Sequence, residues 1–223
     1  MIRISLLLSF NLLFLSLAMG APAGAPLTVD TPNLLLSFDA TNCRWSAQVK
    51  GTPMQLSDVF FLPGDDASGW TVASSVNNND SNNLGSFVTV TLRGTKPGQL
   101  DFDWQISASK TGNDILVSLG RSNNTGRAVD LDDMDCFVSR DARLGGSAEK
   151  WTSLGTMSQN REYYDLAPVI SFITPKMYEV NHVLKDMDTG NSLLLGHVTA
   201  FKPIFYSKIR KSGCLTREAI ARK

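Results

Sequence analysis

The sequence predicts an all-β fold, an antiparallel two-sheet sandwich, and three observations carry that prediction. Short apolar stretches alternate with polar residues at period two. Turn-forming residues separate these stretches at close intervals, drawn from 17 Gly, 9 Pro and many Asn, Ser and Asp. Hardly any segment carries the 3.6-residue period of an amphipathic helix.

The 223 residues suffice for one large β domain or two small ones, and a 43% hydrophobic share can fill a core. The formal net charge is zero, so the molecule as a whole offers no electrostatic attraction for nucleic acid or an acidic membrane.

Arg3 supplies a positive charge, Ile4 to Met19 is almost wholly apolar, and Ala18-Met19-Gly20 provides small residues ahead of Ala21. Residues 1–20 are therefore expected to be a cleavable signal peptide, followed by an Ala/Gly/Pro linker at 21–26. The apolar run is shorter than the roughly 20 residues a membrane-spanning helix needs. The expectation is a secreted, extracellular chain with no membrane association after signal cleavage.

The β-sandwich domain is expected over 27–202. Residues 33–38 and 43–50 flank Asp39-Ala40-Thr41-Asn42 and read as a hairpin. In 86–93, Val88, Val90 and Leu92 share one face, and in 101–108 Phe102, Trp104 and Ile106 do the same, with Lys96-Pro97-Gly98 as the turn between them. Ile115 to Leu119 forms the next strand. Val129 and Leu131 have one parity and Met134, Cys136 and Val138 the other, which predicts a β-bulge near Asp132 or Asp133. Residues 177–187 and 192–200 form a hairpin around Asp188-Thr189-Gly190-Asn191. Asn77 to Asn83 reads as a polar loop, and 203–223 as a basic tail, irregular or weakly helical.

No complete catalytic constellation is visible. Asp130, Asp132, Asp133 and Asp135 form the densest acidic cluster, but a calcium loop needs a Gly at its sixth position and a Glu at its twelfth, and Cys136 and Phe137 follow instead, so that template fails. Neither His182 nor His197 has a Cys or His partner at metal-ligand spacing, and the parity of His182 places it in the core. Gly145-Gly146-Ser147-Ala148-Glu149 lacks the final Gly of a nucleophile elbow, and no phosphate-cradling loop opens a helix. Neither a metal nor a cofactor is expected.

Four Trp could stack on sugar rings. Trp104 has core parity, whereas Trp70 follows a loop and Trp151 follows Glu149-Lys150, so Trp70 and Trp151 are the sugar-binding candidates. Cys43 and Cys136 are either a disulfide or two buried thiols. Asn79 and Asn123 head glycan acceptor sequences. The basic residues at the end of the chain lack interleaved aromatics, so a solvated tail is expected there, and not a nucleic-acid surface.

The stretches NLLLSFDATNCRWSAQV, DILVSLGRSNNTGRAVDLDDMDCFVS, WTSLGTMSQN and MYEVNHVLKDMDTGNSLLLGHVTAF carry a resemblance. Over Leu27 to Phe201 the chain resembles the N-terminal β-sandwich (supersandwich) domain of secreted α-galactosidase-like glycoside hydrolases, family 36 and relatives. In that family a catalytic barrel follows the sandwich and supplies the two Asp of a retaining mechanism. Nothing here matches the barrel motifs, so no catalytic residue is carried over. After Lys202 the chain departs from the family's pattern, which implies either a fragment lacking the barrel or a gene model with an altered end, with an edge strand missing. The resemblance implies a non-catalytic, carbohydrate-associated domain without activity alone. An independent sugar-binding module and a structural or adhesion domain stand as alternatives.

Overall fold

A computed structural model of the chain describes residues 26–61, 66–129, 134–156, 164–168, 176–196, 204–209 and 215–220. These residues form antiparallel strands joined by turns, with a single 3₁₀ turn at Ala148–Lys150. Two sheets result, one of 11 strands and one of four.

The large sheet begins as a meander of β1 (Leu27–Asp30), β2 (Leu34–Asp39), β3 (Arg44–Val49) and β4 (Gln55–Phe60). On β2, Leu34, Leu36 and Phe38 are buried while Leu35, Ser37 and Asp39 face outward, which is the period-two signature of a half-buried strand. The β2–β3 turn is built by Asp39, whose Oδ1 accepts from the backbone N–H of Thr41 at 3.0 Å and of Asn42 at 3.3 Å. An Asp at this position substitutes its side chain for a backbone turn bond. The turn delivers Cys43 in a left-handed conformation, φ 50°, at the start of β3.

The chain then leaves for the smaller sheet, the meander β5 (Thr71–Asn82), β6 (Gly85–Thr95), β7 (Asp101–Ser109) and β8 (Ile115–Ser122). Val90, Leu92, Trp104, Ile106 and Ala108 are fully buried and meet Leu34, Leu36, Phe38 and Trp45 of the large sheet in one core. Trp104 is central: its ring lies 4.6 Å from Phe61 and 6.3 Å, edge-on, from Trp45. Such tilted and edge contacts suit the aromatic quadrupole. The expected polar loop at 77–83 is instead the outer part of β5. Its residues pair with β6 from Thr71↔Thr95 to Asn82↔Gly85, with a bulge between Asn77 and Asp80. The strand's side chains are almost all exposed, so the backbone ladder holds it and no apolar face marks it.

β9 (Met134–Arg143) returns to the large sheet and pairs with β4. The bulge expected near Asp132 lies outside the described residues. β10 (Trp151–Thr156), β11 (Tyr164–Pro168), β12 (Lys176–Asp186) and β13 (Ser192–Leu195) complete the far half, where Trp151, Leu184 and Leu195 extend the core. The expected β12–β13 hairpin is present, with register Lys185↔Ser192.

The largest correction concerns 203–223. Instead of an irregular or weakly helical tail, this stretch carries β14 (Ile204–Ile209) and β15 (Leu215–Ile220). This hairpin sits inside the large sheet, with β15 against β9 and β14 against β12. Neighbouring strands on both sides impose extended backbone on residues whose own pattern is ambiguous.

Candidate functional site

At one end of the large sheet three polar residues stand in a row across three strands. Gln48 on β3 is directly opposite Gln55 on β4, which is directly opposite Arg143 on β9. Directly opposed side chains lie about 5 Å apart and share a face. Gln48 and Arg143 are exposed, and the residue beside Arg143 along the strand, Ala142, turns into the core. Within the described residues neither glutamine amide is engaged in a hydrogen bond. Arg143 donates through Nε and Nη2 to Asp141 Oδ2, both at 3.0 Å, which neutralises its charge locally.

An open cavity of about 530 Å³ lies beside this row. Pro53, the Gly145-Gly146 turn and Trp151 also line it. Trp151 is only 2% exposed, and its buried indole Nε1 has no hydrogen-bond partner among the described residues. Buried donors are rarely left so, and an unmet one has a cost of about 1–3 kcal/mol.

The Gly145-Gly146 turn is fixed from behind by Asp186. Its buried carboxylate accepts from Gly146 N at 2.6 Å, Thr189 Oγ1 at 2.7 Å and Asp188 N at 3.0 Å. Burial pushes this carboxyl up, but these hydrogen bonds more than offset that and hold it below its ordinary value. Asn191 Nδ2 donates to Leu144 O at 2.6 Å and ties the β12–β13 turn to the same loop. Both glycines are required by space. A Cβ on Gly146 would lie 2.6 Å from Asp186 Oδ2, and one on Gly145 (φ 118°) would lie 2.7 Å from Pro53 Cγ.

A second polar cluster lies nearby, on β3, β4 and β9. Asp58, itself at φ 52°, pairs with Arg44 and lies 3.8 Å from Arg140 Nε. Both guanidiniums flank the Phe60 ring, at 4.9 Å and 5.2 Å. This cation–π arrangement ties the three strands together on their outer side.

Trp151 lines the cavity but is sunk in its wall, which leaves no free ring face for stacking. Trp70 is half-buried. Its ring packs 5.0 Å from Phe102 and lies under the Arg121 guanidinium at 6.0 Å. Core packing and a cation therefore already engage it, and it stands apart from the cavity by Trp151.

Cys43 is a free, fully buried thiol, pushed up to about 12 by burial, with the Asp39 carboxylate adding to the effect. The side chain of Cys136 lies outside the described residues. The expected pairing of Cys43 with Cys136 therefore lies outside the described residues. Asn79 and Asn123 are both exposed. Asn123 Oδ1 accepts from Thr125 N at 3.1 Å and from Thr125 Oγ1 at 2.8 Å. His182 is fully buried, as its parity required, with Nε2 3.1 Å from Ser153 Oγ. His197 and Asp130, Asp132 and Asp133 lie outside the described residues.

Gln48, Gln55 and Arg143 went unnoticed in the sequence. Their juxtaposition depends on register between strands far apart in the chain, for which no local signal exists. The adjacent glycines 145 and 146 were the one readable hint of a close approach.

No family model matches the chain, and no curated protein matches it in sequence. Among solved structures, it is similar to the α-N-acetylgalactosaminidase NagBb from Bifidobacterium bifidum, solved as a quadruple mutant, with a TM-score of 0.56 at 13% identity. The likeness covers 87% of this chain and 33% of that one, so the chain spans about a third of the structure it matches. At this identity what is shared is fold: a β domain resembling part of a bacterial glycoside hydrolase.

Proposed function

We propose that this chain is a non-catalytic, carbohydrate-associated β-sandwich domain of the kind that precedes the barrel in secreted α-galactosidase-like glycoside hydrolases. The observation that carries this reading is the fold likeness, which takes in 87% of the chain and only 33% of an α-N-acetylgalactosaminidase. The family-36 resemblance of the sequence points the same way and names the position within such an enzyme. In that setting the domain braces a catalytic barrel. Alone it binds or positions and does not hydrolyse. Fold by itself does not fix function, so the assignment is tested on the site chemistry.

The test is direct. The purified chain is incubated with p-nitrophenyl α-galactoside and p-nitrophenyl α-N-acetylgalactosaminide. No release of nitrophenol above the uncatalysed rate is expected; turnover that follows the protein through purification overturns the proposal. Export belongs to the same reading, resting on Arg3, the apolar run and Ala18-Met19-Gly20. N-terminal sequencing of the product recovered from culture medium should begin near Ala21. Retention of residues 1–20 on the cell-associated protein overturns the export proposal.

A further inference from the structure

We propose that the cavity between the Gln48–Gln55–Arg143 row and Trp151 binds one neutral sugar ring. This deepens the carbohydrate-associated reading above and rests on it. Several features of the cavity support the proposal.

The volume, about 530 Å³, lies within the range of small-ligand sites. The polar side is a convergent set. Two neighbouring amides, each both donor and acceptor, have no partner in the described chain, and a guanidinium completes the row. Vicinal hydroxyls present alternating donors and acceptors, which is the pattern such amides can match. Charge is balanced, since Arg143 is already paired with Asp141 at 3.0 Å. That balance favours a neutral ligand over an anionic one. The rest of the lining, Pro53, Ala142, Gly145, Gly146, Ala148 and Trp151, brings no charged group to the cavity.

The cavity is also held open in advance. Its Gly145-Gly146 rim is anchored to Asp186 and the β12–β13 turn, and neither glycine can gain a side chain without collision. A site that is formed before the ligand arrives avoids the ordering cost of closing around it. The three polar residues come from adjacent strands of a paired sheet, so their spacing is fixed by backbone hydrogen bonds.

The experiment is a calorimetric or ligand-observed NMR titration of the full chain with galactose, N-acetylgalactosamine, glucose and galacturonate. Saturable binding of at least one neutral sugar is expected, tighter than that of galacturonate. In the Gln48→Ala/Gln55→Ala variant the affinity should fall about tenfold or more, from the loss of two direct hydrogen-bonding partners. Both changes are on the outer face, so the urea midpoint should match that of the parent chain. Absence of saturable binding by all three neutral sugars overturns the inference, as does a double variant that binds like the parent. A preference for galacturonate overturns the neutral assignment. These failures are distinct from that of the domain reading, which falls only if the chain hydrolyses the nitrophenyl glycosides.

Discussion

Gly94 on β6 is directly opposite Phe102 on β7, and the Phe102 ring lies across it. A Cβ added at Gly94 would sit 2.0 Å from one ring carbon and 2.2 Å from the next, far inside contact distance. The ring has nowhere to retreat, because Phe61 is 4.8 Å away on one side and Trp70 5.0 Å away on another. Gly94→Ala therefore has to displace a buried aromatic cluster. Overpacking of this kind has a cost of about 1–3 kcal/mol, against a gain of about 0.5–1 kcal/mol from replacing a strand glycine. The net expectation is a loss of about 1–2 kcal/mol, or roughly 3–6 °C in Tm for a domain of this size. Phe102→Ala alone should lose about 3–5 kcal/mol. In that background the collision is gone, so Gly94→Ala should become neutral or slightly stabilising, giving a coupling of about 1–3 kcal/mol. Gly120 on β8 is the internal control. A Cβ there meets only Asp103, at 3.7 Å, so Gly120→Ala should not destabilise. Urea denaturation of the four variants and the parent measures all of these. If Gly94→Ala destabilises equally with and without the Phe102 ring, the steric account is wrong.

Other expectations follow from the same structure. With burial holding its thiol at about 12, Cys43 should resist iodoacetamide at pH 8 in the folded protein and react once urea unfolds it; peptide mapping that finds Cys43 labelled under native conditions refutes this. The Asp186 carboxyl is held below its ordinary 3.8 in the folded state, so its contribution to stability is present above that value and lost as pH falls through the lower folded one. Asp186→Asn should thus destabilise the protein most near pH 7, and the difference should narrow below about pH 4, as read by urea midpoints across that range. Gly146→Ala should weaken sugar binding more than it alters far-UV circular dichroism, because it pushes the cavity rim against Asp186. Trp70→Ala, by contrast, should leave sugar affinity unchanged while lowering stability by about 2–4 kcal/mol through lost packing on Phe102.

Much of the sandwich was legible because burial writes itself into alternation. Leu34, Leu36 and Phe38, then Phe102, Trp104 and Ile106, each show one apolar face, and the structure buries all six. β5 was missed for the opposite reason. Its Ser and Asn side chains point to solvent along nearly its whole length, so pairing with β6 leaves no trace in residue type. β14 and β15 were missed because Thr216, Arg217, Glu218 and Ala219 suit a helix as well as a strand, and only the flanking β9 and β12 decide between them. Trp151 illustrates a different limit. It stood as a candidate sugar contact after Glu149-Lys150, whereas the structure leaves its ring only 2% exposed. The polar row went unread because Gln48 and Arg143 meet only through β4, and register between remote strands is a property of the whole fold.

The placement of β14 and β15 within the large sheet has a kinetic consequence. β5 to β8 pair only with sequence neighbours, so that meander needs nothing but short loops to close. The larger sheet is different: β15 must reach back to β9, bringing Leu215 beside Ser139, before β9 gains its second neighbour. Assembly should therefore be biphasic, with the small meander ordering early and the wide sheet closing late. Until residues 204–220 arrive, β9 and β12 each present an unpaired flank to any passing strand, and that interval is when the chain is most vulnerable to self-association.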